Sequence, residues 1–437
     1  MAENTGLTVA VIGTGYVGLT TGACFAKLGH TVICADVIPE KIESLSRGEV
    51  PIVEAGMEEL VAEGIASGRL RFVLGAANAA EECDFAFMCL PTPQGADGAA
   101  DLSYLLRAAS EIAPVLPSGA IVVNKSTVPV GSAQRVVDVI GRDDVVVASN
   151  PEFLREGTSV EDFFGPDRIV IGAPEKAVAE RVSRLYDAID APKLLVDTAT
   201  AELIKYASNA YLAAKISYAN SIANLCEAAG ANAHEVLAGM GMDSRIGAKF
   251  LKPGPGWGGS CFPKDVFALM NIAETAGYDF SLLSAVVAAN EEQLDRVVGK
   301  VRQIVGGELA GAKLAVWGLS FKAGTDDMRE SPAIKVITRL QAAGVHIRAY
   351  DPAATVPLPG VARAETALDA CDGADGLVVL TEWPEFGEVS LSDVAERLAY
   401  KRVVDTRNML NTRELADLGF AYDCVGYGKS VVSHSLA

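Results

Sequence analysis

The chain opens on a strand, a glycine turn, a helix and a second strand, and few folds accept that order. Leu7-Thr-Val-Ala-Val-Ile12 is short, branched and ended by glycine, as a buried parallel strand is. Gly13-Thr-Gly15-Tyr16-Val17-Gly18 follows, then an alanine-rich helix closed by Gly29-His30, then the strand Thr31–Asp36. This is one βαβ unit. Further strands are predicted at Phe85–Leu90, Ala120–Asn124, Val145–Ser149 and Arg168–Ile171, alternating with helical stretches. The alternation implies a doubly wound parallel sheet.

From Asp197 to Ala229 no proline or glycine interrupts a run rich in alanine, leucine and isoleucine, and Gly230 supplies a C-terminal stop. The spacing predicts one helix of ~50 Å, too long for a single compact Rossmann domain. Beyond it, Lys313–Gly318 repeats the first strand and glycine, and Val345–Asp351 repeats the strand that ends in Asp36. Leu377–Leu380 and Val403–Asp405 add strands. The expected class is α/β, with two Rossmann-like parallel sheets joined by a long central helix. The expected segments are a cofactor domain over 1–196, a helical and dimerisation domain with a cysteine loop over 197–304, and an α/β ligand domain over 305–437. The tail after Gly426 is expected to be loosely ordered.

Net charge excludes some partners. At −19, with no block rich in lysine and arginine, the chain is a poor match for nucleic acid or an anionic membrane. No apolar run is long enough to span a bilayer. The apolar start has no lysine or arginine before Lys27, so it reads as strand and turn and not as a signal peptide. The eight cysteines form no C-x-x-C pair and no zinc-like cluster with the four histidines, so no metal is expected. Scattered free thiols fit a reducing cytoplasm.

Gly13, Gly15 and Gly18 stand between a strand and a helix. The first permits a tight turn, the second lets a pyrophosphate approach the backbone, and the third lets helix and sheet pack closely. The helix N-terminus then faces the phosphates. Asp36 can accept from a ribose diol and would repel a 2′-phosphate, which favours NAD over NADP.

The usual fate of cysteine is burial as a small apolar residue. Cys261 stands apart because Gly254, Gly256, Gly258 and Gly259 precede it, with Lys264 and Asp265 just after. Glycines at that density bring backbone close to a ligand. A neighbouring lysine favours a thiolate, and a carboxylate can move a proton. A hydride acceptor together with such a thiol can carry an alcohol past the aldehyde, through a thioester, to an acid. Lys205 and Asn209 share a face of the long helix, where a solvated pair would be ordinary; pointed at one spot they would stabilise an oxyanion. Glu152 and Glu156 would converge on a helical turn, or are surface acids. Thr127 ends a predicted strand, where open α/β sheets place ligands. His30, His234, His346 and His434 have no motif around them and are read as bystanders.

These motifs, with Lys125–Val130, Asn150–Gly157, Arg245-Ile-Gly247, Gly254–Asp265 and Phe321–Pro332, run over nearly the whole length. In them the chain resembles the nucleotide-sugar 6-dehydrogenases, the UDP-glucose/GDP-mannose dehydrogenase family. The resemblance implies an NAD-dependent, four-electron oxidation of the C6 alcohol of UDP-glucose to the carboxylate, through a thiohemiacetal and a thioester on Cys261. It implies oxyanion stabilisation by Lys205 and Asn209 and proton transfer by Asp265. Thr127 and Glu156 would position water or the nicotinamide. Tyr16, Val17, Lys41, Thr92, Lys264 and Arg329 would join Gly13, Gly15, Gly18 and Asp36 around the cofactor. Glu152, Phe153, Leu154, Phe250, Lys252, Gly258, Phe321, Lys322 and Arg407 would surround the substrate, and Arg245 would reach it across a homodimer interface. GDP-mannose and UDP-N-acetylhexosamines are the alternative substrates. A two-electron β-hydroxyacid dehydrogenase would need neither Cys261 nor residues 305–437, and a non-catalytic binder would need no catalytic set.

Overall fold

The structure is a computed structural model, described over residues 6–95 and 99–427. It divides into two compact units. One is the chain up to Ser208 with Phe267–Tyr278, and the other is Asn209–Val266 with the chain from Asp279 onward.

The first unit is built on Thr8–Ile12 (β1), Thr31–Asp36 (β2), Leu70–Leu74 (β3), Phe85–Met88 (β4), Ile121–Asn124 (β5), Val146–Ser149 (β6), Ile169–Gly172 (β7) and Lys193–Val196 (β8). Their order in the sheet is β3-β2-β1-β4-β5-β6-β7-β8. Alternate residues of β1 feed opposite faces: Val9 and Val11 join one core, Ala10 and Ile12 the other. β4, β5 and β7 are buried throughout, which is why they read as unbroken apolar runs. One pairing departs from the parallel plan. The sheet is parallel except at Ser149↔Gly172, where β6 and β7 pair antiparallel. Strands β3 and β8 alternate buried and exposed residues too weakly to stand out in the sequence.

The second unit repeats the plan. Lys313–Trp317 (β9), His346–Tyr350 (β10), Val361–Arg363 (β11), Gly376–Val379 (β12), Arg402–Asp405 (β13) and Ala421–Cys424 (β14) lie in the order β11-β10-β9-β12-β13-β14, the topological order of β1 to β6. The echo extends to atoms. Gly13 has φ +97° and donates to Ala35 O at 2.7 Å; Gly318 has φ +95° and donates to Tyr350 O at 2.8 Å. The long helix spans Thr198–Ala229, with Lys205 on its part in the first unit and Asn209 on its part in the second. No helix among the described residues is long and apolar enough to cross a membrane. The tail beyond Tyr427 lies outside the described residues.

Two glycines of the first turn separate folding from binding. A Cβ on Gly18 would lie 1.8 Å from Gly13 O, whereas a Cβ on Gly15 would meet nothing within 4 Å. Gly18→Ala is therefore expected to lower both Tm and NAD affinity. Gly15→Ala is expected to keep Tm and weaken NAD by roughly tenfold or more, about 1.4 kcal/mol, by projecting into the ligand's approach. Thermal melts paired with calorimetric NAD titrations check both; a Gly15→Ala protein that binds NAD normally would refute the second.

Candidate active site

The glycine turn suits a dinucleotide. Gly15 is the N-cap of the helix Tyr16–Lys27 and offers no side-chain cap, so the first amides of that helix are left for a ligand. Asp36 ends β2 beside them. Its Oδ2 accepts from Thr14 N at 3.1 Å, Thr14 Oγ1 at 2.6 Å and Lys41 Nζ at 2.8 Å, and its Oδ1 from Val37 N at 2.8 Å. Burial opposes the charge, but Lys41 and Thr14 outweigh it and hold the carboxyl at about 2. A permanent anion is thus fixed where a ribose diol would meet it. Lys41 reaches this place as the partner of Asp36.

Also in the first unit, β5 and β6 deliver a buried polar cluster. Lys205 Nζ meets Glu152 Oε1 at 2.9 Å, and both side chains are about 95% out of solvent, at 4% and 6% exposure. Glu152 Oε2 accepts from Leu154 N at 2.6 Å. Burial disfavours the Glu152 anion, yet Lys205 and that amide prevail and hold the carboxyl below its ordinary value. Thr127, Asn124, Ser149, Glu202 and Lys205 line one small cavity of about 10 Å³. Thr92 Oγ1 donates to Thr127 O at 2.8 Å and so fixes the Thr127 backbone. Phe153 lies under Lys205, 5.3 Å from Nζ to the ring centre, and under Arg168 at 3.7 Å.

Glu202 was not visible as a site residue in the sequence. Its carboxylate accepts from Gly131 N at 2.8 Å, Ala133 N at 3.0 Å and Ser149 Oγ at 3.1 Å, closing the N-terminus of the helix Ser132–Ile140 that follows the Thr127 loop. Its signal is an acid one turn before Lys205 on the same helix. Lys125 was likewise only part of a motif; it is buried and donates to Asn150 Oδ1 at 3.1 Å and to Tyr186 Oη at 3.3 Å.

In the second unit Cys261 sits just before the helix Phe262–Thr275, and its carbonyl accepts from Asp265 N at 3.0 Å. The positive end of a helix favours negative charge on sulfur. It is the partly exposed member of the eight free cysteines; the other seven are buried. Burial pushes Cys83, Cys89, Cys371 and Cys424 up to about 12, and Cys24 and Cys34 higher still, so these thiols stay protonated. Asp265, 1% exposed, accepts from Lys264 Nζ at 2.6 Å and from Asn209 Nδ2 at 2.5 Å. Lys264 and Asn209 are therefore fixed through one carboxylate.

The glycine loop before Cys261 is pinned by buried amides. Asn220 Oδ1 accepts from Gly254 N at 2.8 Å, Asn290 Oδ1 accepts from Trp257 N at 2.9 Å, and Gln293 Nε2 donates to Gly254 O at 2.8 Å. Trp257 Nε1 donates to Ser217 Oγ at 2.9 Å. A Cβ on Gly258 would lie 2.0 Å from Glu330 O, and one on Gly259 2.8 Å from the Phe321 ring. Among the described residues, three other than glycine hold left-handed backbone: Phe250 at φ +65°, Glu330 at +50° and Asn408 at +54°. Such strain persists where surroundings impose it, commonly at ligand sites. Phe250 opens this loop, Glu330 packs on it and Asn408 follows Arg407. Arg407 Nε donates to Leu380 O at 2.8 Å, and its Nη2 reaches Phe321 O at 3.4 Å. Lys322 lies 5.6 Å over the Phe321 ring.

One expectation fares differently. Residues 151–155 are irregular and not helical, so Glu152 and Glu156 do not share a helical turn; Glu152 is buried and Glu156 half-buried. Arg245 is 87% exposed and pairs with Asp243 at 2.6 Å. Arg329 pairs with Asp327 at 2.7 Å, and Lys252 is exposed. Among the described residues, no group of three or more histidine, cysteine or acidic side chains is placed to hold a metal.

Residues 7–190 match the NAD binding domain of the UDP-glucose/GDP-mannose dehydrogenase family, residues 199–292 its central domain and residues 315–412 its UDP binding domain. The chain belongs to that family. It is 44% identical over 432 residues to a UDP-glucose 6-dehydrogenase of Rhizobium meliloti, covering 96% of this chain and 99% of the relative. It is 41% identical over 428 residues to UDP-glucose 6-dehydrogenase TuaD of Bacillus subtilis, covering 96% and 93%. The fold of a UDP-glucose dehydrogenase from Pyrobaculum islandicum matches with a TM-score of 0.90 at 36% identity, over 98% of this chain and 99% of that one. Family membership thus accounts for the motifs, the two sheets and an NAD cofactor together.

Burial at Lys125 has a measurable consequence. Burial depresses its ammonium to about 8, against the favourable pull of the Glu152 carboxylate. The unfolded lysine titrates near 10.4, so between about pH 8 and about 10.4 the unfolded chain binds more protons and stability rises with pH. Below about 8 both states are charged and the slope vanishes. Urea midpoints at about pH 7 and about pH 10 should show wild type gaining on Lys125→Met. Parallel curves would exclude the depressed lysine.

Proposed function

We propose that the protein oxidises C6 of UDP-glucose to the carboxylate of UDP-glucuronate, four electrons in all, with NAD as acceptor and Cys261 as the covalent nucleophile. The observation that carries this reading is the single half-exposed thiol at a helix N-terminus, next to a buried Asp265 that holds both Lys264 and Asn209. The likeness of residues 315–412 to a UDP binding domain favours uridine over guanosine. The named relatives add UDP-glucose as the sugar nucleotide.

Gly13, Gly15, Gly18 and Asp36 hold the cofactor, joined by Tyr16, Val17, Lys41, Thr92, Lys264 and Arg329. When bound, NAD supplies the hydride acceptor, once for each two-electron step. The Cys261 thiolate adds to the C6 aldehyde, forming the C–S bond and an alkoxide that takes up a proton as the thiohemiacetal. Loss of that proton and a second hydride leaves a thioester. Water adds to its carbonyl, the C–S bond breaks, and the thiolate departs from the carboxylic acid. Lys205 and Asn209 stabilise the oxyanions of these steps. Asp265 moves protons, and Thr127 and Glu156 orient water. Glu152 keeps Lys205 charged and in place, with Phe153 and Leu154 beside it. Phe250, Lys252, Gly258, Phe321, Lys322 and Arg407 enclose the sugar and its diphosphate. In this reading residues 1–196 serve the cofactor, 197–304 the thiol and assembly, and 305–437 the nucleotide.

Assembly is read as a homodimer in the cytoplasm. Tyr211, Tyr218 and Leu225 recur every seven residues on the long helix and are 66%, 54% and 62% exposed, an apolar stripe suited to a second copy. Arg245, also exposed, would then reach the partner's substrate.

Three measurements test the chemistry. NADH should form at two per UDP-glucose consumed, whereas a two-electron enzyme would give one. Cys261→Ser should fall short of full conversion, and undiminished production of the acid would remove the thiol from the mechanism. Lys205→Ala should lower kcat by about a hundredfold or more while KM for UDP-glucose changes little, because its charge matters most when oxygen becomes anionic. An effect confined to KM would assign Lys205 to binding alone.

A further inference from the structure

We propose that Glu54 is a positioning residue, a latch that ties the cofactor turn to the segment carrying Glu152 and Glu156. Glu54 lies in none of the motifs that mark the site, between β2 and the helix Met57–Ala66. Yet its side chain is 8% exposed and fully engaged. Oε1 accepts from Ser159 N at 2.8 Å. Oε2 accepts from Gly157 N at 2.9 Å and from the Tyr16 hydroxyl. That hydroxyl lies 3.0 Å from Arg155 O and accepts from Gly157 N at 3.0 Å. Alongside, Thr20 Oγ1 and Ser159 Oγ are 3.1 Å apart and buried.

Both ends of this network are functional ground. Tyr16 is the first residue of the helix whose N-terminus faces the cofactor. Gly157 and Ser159 follow Glu152, which holds Lys205, and Glu156. Burial first and the Glu54 hydrogen bond second raise the Tyr16 hydroxyl far above its ordinary value, so it remains a proton donor to the carboxylate. The arrangement needs an acceptor at both oxygens, because two backbone N–H groups and one hydroxyl converge on them. Two donors of the three belong to rigid backbone. A carboxylate meets all three; an apolar side chain meets none and leaves the two amides without this partner. An amide side chain still accepts from Ser159 N on its one oxygen, and with its NH2 toward Tyr16 the hydroxyl can turn and accept, while the Gly157 N–H loses the side-chain oxygen and keeps the hydroxyl. Gln is therefore a partial replacement and Leu a null.

The inference rests on the cofactor and acid assignments proposed above, and its test separates the two. Amide exchange over residues 155–160 reads the latch without any turnover. Steady-state kinetics per folded protein read its consequence. In Glu54→Leu, exchange at Gly157 and Ser159 should quicken, and kcat should fall by about ten- to a hundredfold, the scale of an ångström of misplacement. KM for UDP-glucose should change less than kcat, since Phe250, Lys252, Gly258, Phe321, Lys322 and Arg407 lie outside the displaced segment. Glu54→Gln should recover most of kcat, and Tyr16→Phe, which keeps both amide bonds, should fall between. Unchanged exchange in Glu54→Leu, or quickened exchange with unchanged kcat, overturns the proposal. So does loss of Tm with kcat per folded site intact, the result of a merely structural role. Failure of wild type to make NADH from UDP-glucose would instead overturn the functional reading and leave the exchange result standing.

Discussion

Buried charge must be paired, and in this protein that rule places the groups most able to handle oxyanions. Lys205 has almost no exposed surface, so its ammonium requires Glu152 at 2.9 Å. One turn further along the same helix, Asn209 is held by Asp265, itself 1% exposed and neutralised by Lys264. Removing one partner of such a pair typically costs about 3–5 kcal/mol, because it strands the other charge. The cost is tolerated because it fixes geometry: each side chain has one low-energy direction. A solvated lysine and asparagine would be softer and would reorganise as charge developed.

The two sheets show how one plan serves different ligands. Gly13 and Gly318 adopt the same left-handed turn after the same strand, and Asp36 and Asp351 follow the neighbouring strand. Asp351 is 2% exposed and accepts from Leu319 N at 2.7 Å, Ser320 N at 3.0 Å and Ala354 N at 2.8 Å. Its acceptor capacity is spent on its own loop and on the turn after β9. Asp36 is less buried and keeps one edge toward Val37 and Ile38, both exposed apolar residues. The repeated scaffold is thus closed in the second unit at the place where it is open in the first.

Local chemistry made much of this legible in the sequence. Gly18 is dictated by Gly13 O a few residues away and Gly13 by its left-handed turn, so the turn and its strands could be read directly. The unbroken helix from residue 198 to 229 could also be read, because nothing in it opposes helix formation. Long-range pairing was less visible. Glu54, Glu202, Asn220, Asn290 and Gln293 each act on backbone tens of residues away, and no spacing rule marks them. The i, i+4 rule misled at Glu152 and Glu156 because Pro151 and the backbone bonds to Glu54 keep that segment out of a helix. The antiparallel step between β6 and β7 escaped for a related reason: β7 is buried on both faces, and burial says nothing of strand direction.

Thiol selection follows from burial more than from motif. Eight cysteines share one chemistry, yet seven are enclosed in apolar packing, and desolvation keeps the six with a resolved shift protonated. Cys261, the partly exposed one, follows glycines at 254, 256, 258 and 259. Gly258 is pressed so closely on Glu330 O that any Cβ would clash, and Gly259 on the Phe321 ring. That closely packed loop leads into the partly exposed sulfur just before the helix Phe262–Thr275. In the proposed reading, reactivity at a single position would follow from how the loop packs, and the pinning of that loop by Asn220, Asn290 and Gln293 would be part of the chemistry.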